Sequence, residues 1–280
     1  MIPSQLVRSI LKNVPLPGQI RRPLLDRLDP YIAYGKPNKP LAFAGPKRLF
    51  IIHDAREYIQ RNIYFLNYYE IRETNFIRNI LRPGGVFVDV GANIGWFTVL
   101  ASKCVGPTGR VFAFEPSERI YRHLCENTAV NCCDNVTVER LALSDKNGTA
   151  VLANTNKTND GMGSIIERGL QGEEVATVTL DDYMSILGDK SIDLIKLDVE
   201  GAELMALRGM RQLLAAGRIK HIVFEFHRGQ QQEAGLEGGE MFELLRQFGF
   251  NFHGLSYRGA TKILPPESEL IYTNVVASCD

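Results

Sequence analysis

A strand pattern, a glycine turn and a helix pattern in direct succession constrain the fold of this chain more than any other feature. Residues 86–90 are apolar except for Asp89, which is typical of a buried strand, and the apolar residues 96–101 predict the start of a helix. Between them, Gly91 and Gly95 predict a tight turn. This combination forms the nucleoside-binding corner of doubly wound α/β folds. Glycine at these two positions tolerates a positive φ and lets a ligand approach the backbone.

The alternation of strand and helix patterns continues along the chain. Strands are predicted at residues 48–52, 86–90, 110–114, 136–141, 193–198, 220–226 and 269–277. Helices are predicted at residues 58–66, 73–81, 95–104, 117–130, 202–216 and 238–248. Such alternation predicts an α/β fold, with a doubly wound, mostly parallel, Rossmann-like sheet covered by helices on both faces. The polar stretch from about residue 150 to 178 is predicted to be a long connection that closes over the site.

The first 45 residues differ from the rest of the chain because they contain seven prolines, too many for long helices. We therefore predict two parts, a proline-rich N-terminal extension over residues 1–45 and a catalytic domain over residues 46–280, with its core at about 83–230.

One short segment of the extension has an amphipathic pattern. Leu6, Ile10 and Val14 form an apolar face, with Arg8 and Lys12 opposite. Such a helix packs on its own domain or on a second subunit of a homodimer; alternatively, residues 4–14 contact a membrane surface.

Composition excludes several classes of protein. Lysine plus arginine equal aspartate plus glutamate at 32 each, which argues against a nucleic-acid-binding protein that depends on a positive field. The five cysteines show neither zinc-ligand spacing nor an even disulfide set, as expected in a reducing compartment. No apolar run reaches the ~18 residues of a transmembrane segment, and no signal peptide is recognisable. The sequence therefore predicts a cytoplasmic protein without a transmembrane segment.

The turn chemistry narrows the ligand class. Two glycines spaced as in Gly91 and Gly95 match neither the dinucleotide fingerprint nor the ATP phosphate loop. A carboxylate at Asp89 repels phosphate but suits a cationic or neutral ligand. Glu115 ends the next predicted strand, where a carboxylate can accept hydrogen bonds from ribose hydroxyls. Alternatively, Glu115 caps the helix that begins at Pro116.

Five sequence blocks in a fixed order resemble one family. They are Asp-Val-Gly-Ala-Asn-Ile-Gly at 89–95, Phe-Glu-Pro at 114–116, Ala-Leu-Ser-Asp at 142–145, Thr-Leu-Asp-Asp-Tyr at 179–183 and Ile-Lys-Leu-Asp-Val-Glu-Gly-Ala-Glu at 195–203. Together they resemble the FkbM family of class I S-adenosylmethionine-dependent methyltransferases, over roughly residues 65–230. The proline-rich first 45 residues depart from that pattern.

The resemblance implies S-adenosylmethionine as the cofactor and places its parts along the chain. The methionine half lies at Asp89 and the glycine turn, the adenine lies near residues 143–145, and Glu70 contacts the methionine ammonium. For Asp145, an Asx-turn is the alternative. The predicted cofactor-binding residues are Glu70, Asp89, Gly91, Ala92, Asn93, Gly95, Glu115, Pro116, Leu143, Ser144, Asp145 and Asp198.

Charged residues at the ends of two predicted strands are the candidates for catalysis. Lys196, Asp198 and Glu200 share one side of a strand if that strand continues so far, and a lysine there needs a carboxylate partner. Glu225 and His227 share one face of the next strand, and histidine is a plausible general base. The spacing predicts no metal site, although Asp198 and Glu225 are the residues that could hold a divalent ion.

The sequence thus predicts an S-adenosylmethionine-dependent enzyme that O-methylates a hydroxyl of a saccharide, a glycan or a secondary metabolite. The polar connection after residue 150 favours a hydroxylated small molecule or glycan as acceptor. One alternative is an N-methyltransferase acting on a peptide or small molecule; another is a non-catalytic, cofactor-binding assembly module. A nicotinamide oxidoreductase is disfavoured by the missing third glycine.

Overall fold

The computed structural model describes residues 1–13, 18–34, 41–45, 48–154, 163–166, 172–188, 190–233, 239–259, 261–265 and 267–279. The described residues divide into two compact units, Met1–Glu70 and the residues from Ile71 onward. The sequence placed the end of the N-terminal extension at residue 45. The structural division falls at residue 70, because the helix at Tyr58–Leu66 packs with the two N-terminal helices and the strand at Arg48–Ile52 packs with that helix.

The first unit contains short strands and three helices. Its strands are β1 (Ile2–Pro3), β2 (Ile32–Ala33), β3 (Leu41–Gly45) and β4 (Arg48–Ile52). Its helices are α1 (Ser4–Asn13), α2 (Gly18–Leu28) and α3 (Tyr58–Leu66), with a 3-10 turn at Asp29–Tyr31.

Two observations in the N-terminal segment bear on its predictions. Helix α1 buries Val7 and Leu11, whereas the predicted apolar face exposes Leu6 and Ile10. The third predicted residue of that face, Val14, lies outside the described residues. Helix α2 extends over eleven residues in spite of Pro23 in its interior. Neither helix described in this segment is longer than eleven residues, which agrees with the expectation that the prolines exclude long helices. Among the helices that the structure describes, none has both the length and the apolar character needed to cross a membrane.

The second unit alternates strands and helices. Its strands are β5 (Val86–Val90), β6 (Arg110–Phe114), β7 (Val136–Glu139), β8 (Ala142–Leu143), β9 (Gly148–Asn154), β10 (Gly163–Ile166), β11 (Glu173–Val178), β12 (Leu194–Leu197), β13 (His221–His227), β14 (Asn251–Leu255), β15 (Thr261–Lys262) and β16 (Tyr272–Ser278). Its helices are α4 (Ile71–Ile80), α5 (Trp96–Val105), α6 (Glu118–Val130), α7 (Leu180–Tyr183), α8 (Glu203–Arg208), α9 (Arg211–Ala215), α10 (Arg228–Glu233) and α11 (Glu240–Arg246). Short 3-10 turns lie at Met184–Leu187 and Glu267–Glu269.

An eight-stranded sheet forms the centre of this unit, in the order β15-β14-β16-β13-β12-β5-β6-β7. Strands β13, β12, β5, β6 and β7 are parallel, and β16 pairs antiparallel with both β13 and β14. The predicted α/β fold with a mostly parallel sheet is confirmed. Strand β5 is buried along its whole length, as its apolar sequence predicts. The carboxyl ends of the parallel strands meet at one edge, where ligands bind in such sheets.

The predicted long connection after residue 150 is wrong in part. Strands β8, β9, β10 and β11 form a second sheet in the order β10-β9-β11-β8. Leu152 and Val175 are buried in it. Short strands between polar tracts have only a weak sequence pattern, because each is stabilised by pairing with the others. The Gly-Met part of the predicted closing segment lies outside the described residues.

The predicted helix over residues 202–216 is interrupted at Gly209. A Cβ at Gly209 would lie 1.9 Å from the carbonyl oxygen of Ser144, so the chain passes too closely there for any side chain. The carboxylate of Asp181 accepts hydrogen bonds from the backbone N–H groups of Gln212 and Leu213, which stabilises the start of α9. The block at 179–183 therefore has a structural role at this break.

Candidate active site

The glycine turn between β5 and α5 is fixed by the strand beside it. The N–H groups of Gly91 and Ala92 both donate to the carbonyl oxygen of Phe114, at 3.0 and 2.9 Å. Gly91 has a φ of +76°, and a Cβ there would lie 1.9 Å from the carbonyl oxygen of Asp198. At Gly95, with a φ of +90°, a Cβ would lie 2.7 Å from Leu124. The backbone of Asp198 therefore excludes a side chain at Gly91, whereas at Gly95 the positive φ is the main reason for glycine.

Glu115 is buried behind this turn and hydrogen-bonded to two backbone groups. Its Oε2 accepts from the N–H of Asn93 and its Oε1 from the N–H of Ser117, both at 3.0 Å. Burial raises the pKa of Glu115 to about 7, against the lowering effect of these two bonds. Each carboxylate oxygen has a second acceptor direction, which matches the two hydroxyls of a ribose. The predicted ribose contact and the helix-start contact are therefore compatible.

The other predicted cofactor residues lie on several elements of the chain. Leu143 is buried in the core, and the hydroxyl of Ser144 lies 3.3 Å from the Asp145 carboxylate. Asn93 has a φ of +49°, and its side-chain oxygen accepts from the N–H of Ile94, which shapes the turn. Pro116 is half-buried after Glu115. Glu70 ends the first unit, and its contact with the cofactor stays a prediction.

Lys196 is buried at the end of β12, beside Asp89 of β5 in register. Its Nζ lies 2.6 Å from the Asp198 carboxylate and 4.6 Å from the centre of the Phe97 ring. The carboxylate partner that the sequence required for this lysine is therefore Asp198. Asp89 accepts a hydrogen bond of 2.5 Å from the hydroxyl of Thr98. Burial raises the pKa of Asp89 to about 6, and the charge of Lys196 opposes that rise.

The chain reverses immediately after β12. The strand ends at Leu197, so strand alternation does not extend to Glu200. Instead, positive φ values of +51° at Glu200 and +99° at Gly201 turn the chain back. As a result, carboxylate oxygens of Asp198, Glu200 and Glu225 all lie within 4.8 Å of one another. A glutamate in this backbone conformation is uncommon, and such outliers cluster at functional sites.

The crowding of carboxylates changes their proton affinity. Burial, followed by the negative charge of Asp198, raises the pKa of Glu200 to about 7. The same two causes raise the pKa of Glu225, and a hydrogen bond from Tyr272 opposes the rise. Gln230 donates to Glu200 at 2.6 Å and holds its carboxylate in place. Burial and the nearby negative charge therefore favour the protonated forms of Glu200 and Glu225.

His227 lies next to this group at the end of β13. Its Nδ1 accepts a hydrogen bond of 3.2 Å from the backbone N–H of Gln230. Because Nδ1 is the acceptor, the neutral imidazole has its proton on Nε2. Nε2 is then a donor. This geometry favours hydrogen-bond donation by His227 over the base role that the sequence suggested.

The structure adds two residues that the sequence analysis missed. Glu73 of α4 is buried and accepts a hydrogen bond of 2.7 Å from the side chain of Asn274 in β16. Burial raises the pKa of Glu73, and Lys196 opposes the rise. The sequence did contain a signal for the burial of Glu73, because this residue lies at helical spacing from the apolar Phe76 and Ile77. Asn274 offered no signal, because its partner is 201 residues away.

Comparison with known proteins identifies the family. The model of the FkbM methyltransferase domain matches residues 89–252, more than half of the chain. The chain belongs to the FkbM methyltransferase family. This membership confirms the predicted class I methyltransferase fold and its cofactor, S-adenosylmethionine.

Curated relatives agree with the FkbM assignment. The 2-O-methyltransferase NoeI of Sinorhizobium fredii is 30% identical over 187 residues, which cover 60% of this chain and 76% of NoeI. The 31-O-demethyl-FK506 methyltransferase FkbM of Streptomyces tacrolimicus is 32% identical, over 61% of this chain and 74% of that protein. In the AMB antimetabolite synthetase AmbE of Pseudomonas aeruginosa, the match is 31% identical and covers only 10% of its length.

A solved structure also resembles the chain. The putative rRNA-methylase from Clostridium thermocellum has a TM-score of 0.44 and 13% sequence identity, over 74% of this chain and 95% of that one.

Proposed function

We propose that this FkbM-family protein transfers a methyl group from S-adenosylmethionine to an aliphatic hydroxyl of a saccharide or a related polyhydroxylated metabolite. The observation that carries the proposal is the group of Asp198, Glu200 and Glu225, whose oxygens lie within 4.8 Å of one another at the carboxyl ends of β12 and β13. An aliphatic hydroxyl is a weak nucleophile and needs a nearby group that accepts its proton.

The residues present fit the cofactor. Glu115 offers two acceptor oxygens to a ribose diol, and the buried acidic groups near Lys196 suit a cationic ligand without phosphate. When bound, S-adenosylmethionine supplies the methyl group: the acceptor oxygen bonds to the methyl carbon while the carbon–sulfur bond breaks and its electron pair stays on sulfur. Asp89 and the turn from Gly91 to Gly95 hold the methionine half in this proposal.

Glu225 is the proposed general base. It accepts the hydroxyl proton in the transfer step, and a pKa raised toward neutrality suits this role. Asp198 and Glu200 keep that pKa raised through their negative charge. Lys196 lies 2.6 Å from Asp198, and its positive charge offsets part of the negative charge of the three carboxylates. This allows some of them to stay ionised. The Nε2–H of His227 donates a hydrogen bond to an oxygen of the substrate that receives the methyl group, and so orients that substrate.

The acceptor class is inferred from relatives and from chemistry. NoeI is named a 2-O-methyltransferase, and a relative in Haloferax volcanii, 28% identical over 160 residues, is named hexuronic acid methyltransferase AglP. Carboxylates and a histidine at a strand edge offer several hydrogen bonds to a polyhydroxylated molecule. Homodimer formation and membrane-surface contact through residues 4–14 stay predictions.

The test has two stages. Calorimetry with S-adenosylmethionine, S-adenosylhomocysteine and NADH should show micromolar binding of the first two only. Methyl-labelled cofactor is then incubated with a panel of methyl glycosides, an aminoglycoside and a short peptide, and products are identified by mass spectrometry. Label on a glycoside oxygen supports the proposal, and loss of this label in Glu225→Gln supports the base. Label on nitrogen would overturn O-methylation. Binding without any transfer would favour an assembly module.

A further inference from the structure

An exposed aromatic side chain lies close to the group of Asp198, Glu200 and Glu225 and is not part of the hydrophobic core. Tyr272 begins β16 and pairs in register with His227 at the end of β13. It is 59% exposed, although its neighbours on these strands are buried or half-buried. Single exposed apolar side chains are ordinary, and Ile271 next to it is 73% exposed; Tyr272 differs because it is paired with His227 at the strand end that also carries Glu225.

Two contacts fix this ring. The ring of His227 packs edge-on against it, with centroids 5.5 Å apart and an interplanar angle of 67°. Burial raises the pKa of Glu225 and a hydrogen bond from Tyr272 opposes the rise, so the Tyr272 hydroxyl lies close to that carboxylate. The contact with His227 restricts the ring, which lowers the entropy cost of binding a ligand on its exposed face.

We propose that Tyr272 is the binding platform for the acceptor and that the acceptor class is a pyranose-like ring with an apolar C–H face. The C–H face of such a ring carries a weak positive potential and packs on the negative face of the tyrosine. A hydroxyl at the rim of that ring then reaches Glu225, to which the platform is hydrogen-bonded. This inference rests on the proposed function, because it assigns the acceptor position to the same site.

The platform also tunes the base. A hydroxyl that donates to Glu225 stabilises its ionised form and lowers its pKa, against the effect of burial. Tyr272→Phe keeps the ring and removes this bond, whereas Tyr272→Ala removes both. The two variants therefore separate ring binding from control of the base. Tyr257 is a matched control, because it is 55% exposed but its ring faces the guanidinium of Arg72 at 4.4 Å.

The experiment is saturation-transfer NMR on protein loaded with S-adenosylhomocysteine, with methyl α-D-glucopyranoside, methyl β-D-galactopyranoside, methyl α-L-fucopyranoside and catechol as probes. We expect transfer to the ring C–H protons of at least one glycoside, with affinity reduced tenfold or more in Tyr272→Ala and less than threefold in Tyr272→Phe and Tyr257→Ala. In the methylation assay, Tyr272→Phe should shift the pH-rate profile to higher pH.

Equal glycoside signals in wild type and Tyr272→Ala would overturn the platform. So would a wild-type protein that binds catechol and none of the glycosides, or binds no probe at all. Calorimetry with S-adenosylhomocysteine separates this failure from that of the proposed function: cofactor binding without glycoside binding contradicts only the platform, and absence of cofactor binding contradicts the methyltransferase proposal. Retained cofactor binding also shows that each variant is folded.

Discussion

The ammonium of buried Lys196 lies 2.6 Å from the carboxylate of Asp198, which follows the end of β12. Lys196 is also opposite Asp89 of β5 in register, so one cation lies beside two carboxylates. A buried charge left without its partner is strongly destabilising. The pair is therefore expected to control both the stability of the unit and the charge of the site.

Lys196→Met should lower the free energy of unfolding by about 3–5 kcal/mol, because Asp89 and Asp198 lose their counter-charge. Urea unfolding at pH 7 measures the change. Lys220→Met is the control, since Lys220 is paired with Asp193 but is mostly exposed, and should lose less than about 1 kcal/mol. Equal losses in the two variants would contradict a special role for the buried pair.

Glu115→Ala should weaken S-adenosylhomocysteine binding at least tenfold in calorimetry, because the ribose loses its acceptor and the N–H groups of Asn93 and Ser117 lose theirs. Glu118→Ala is the control, because Glu118 is an exposed residue at the start of the same helix; this variant should bind S-adenosylhomocysteine as the wild type does. If Glu115→Ala keeps full affinity while folded, the ribose assignment is wrong.

Gly91→Ala and Gly106→Ala compare two glycines with similar positive φ. The new Cβ would lie 1.9 Å from the carbonyl oxygen of Asp198 at position 91 and would meet nothing within 4 Å at position 106. Gly106 has a φ of +65° and a ψ of −173°, a conformation that is essentially restricted to glycine, so we expect Gly106→Ala to cost about 1–3 kcal/mol through backbone strain alone. Gly91→Ala should prevent folding or displace the Asp198 turn and abolish cofactor binding. Circular dichroism and calorimetry distinguish these results, and mild effects at both positions would refute the close approach.

The methylation rate should increase with pH through about 7, because the proposed base must be ionised and burial beside Asp198 raises the pKa of Glu225. Glu225→Gln should reduce kcat by about 100-fold or more. Glu200→Gln removes a neighbouring negative charge, so it should move the profile to lower pH, opposite to Tyr272→Phe. A flat profile from pH 6 to 8 would contradict general-base catalysis by this group.

Glu203 should make the unit less stable as pH rises. Burial raises its pKa from 4.5 to about 7, so the stabilisation linked to its protonated form is complete below pH 4.5 and is lost as pH rises through 7. Urea unfolding between pH 5 and 8 should therefore show a steeper decline in wild type than in Glu203→Gln. The difference should be roughly 1–3 kcal/mol. If the free energies of unfolding of wild type and Glu203→Gln change with pH in parallel, groups other than Glu203 cause the pH dependence.

Local signals were sufficient for the parallel core. The apolar run of β5, the glycine turn and the carboxylate Glu115 follow from short-range sequence patterns, because each is defined by backbone and side-chain needs within a few residues. The partner of Lys196 was also predictable, since a buried lysine requires a nearby carboxylate and Asp198 is two residues away.

Long-range relationships were not accessible in this way. The turn that places Glu200 beside Asp198 depends on a positive φ at Glu200, and no local sequence pattern predicts a positive φ for a glutamate. Glu73 meets Asn274 only because β16 enters the sheet beside β13. The strands β9, β10 and β11 were missed because their stabilising partners are one another, across polar tracts.

The insertion of β16 between β13 and β14 has a consequence for biosynthesis. Strands β13 and β14 precede β16 along the chain. During synthesis on a ribosome, the edges of both strands that pair with β16 therefore stay unpaired until the residues of β16 emerge. This strand also carries Tyr272 and Asn274, so the proposed acceptor site would form only when β16 closes the sheet. A nascent chain without β16 could form the glycine turn but not the proposed acceptor site, which would make methyl transfer depend on completion of the sheet.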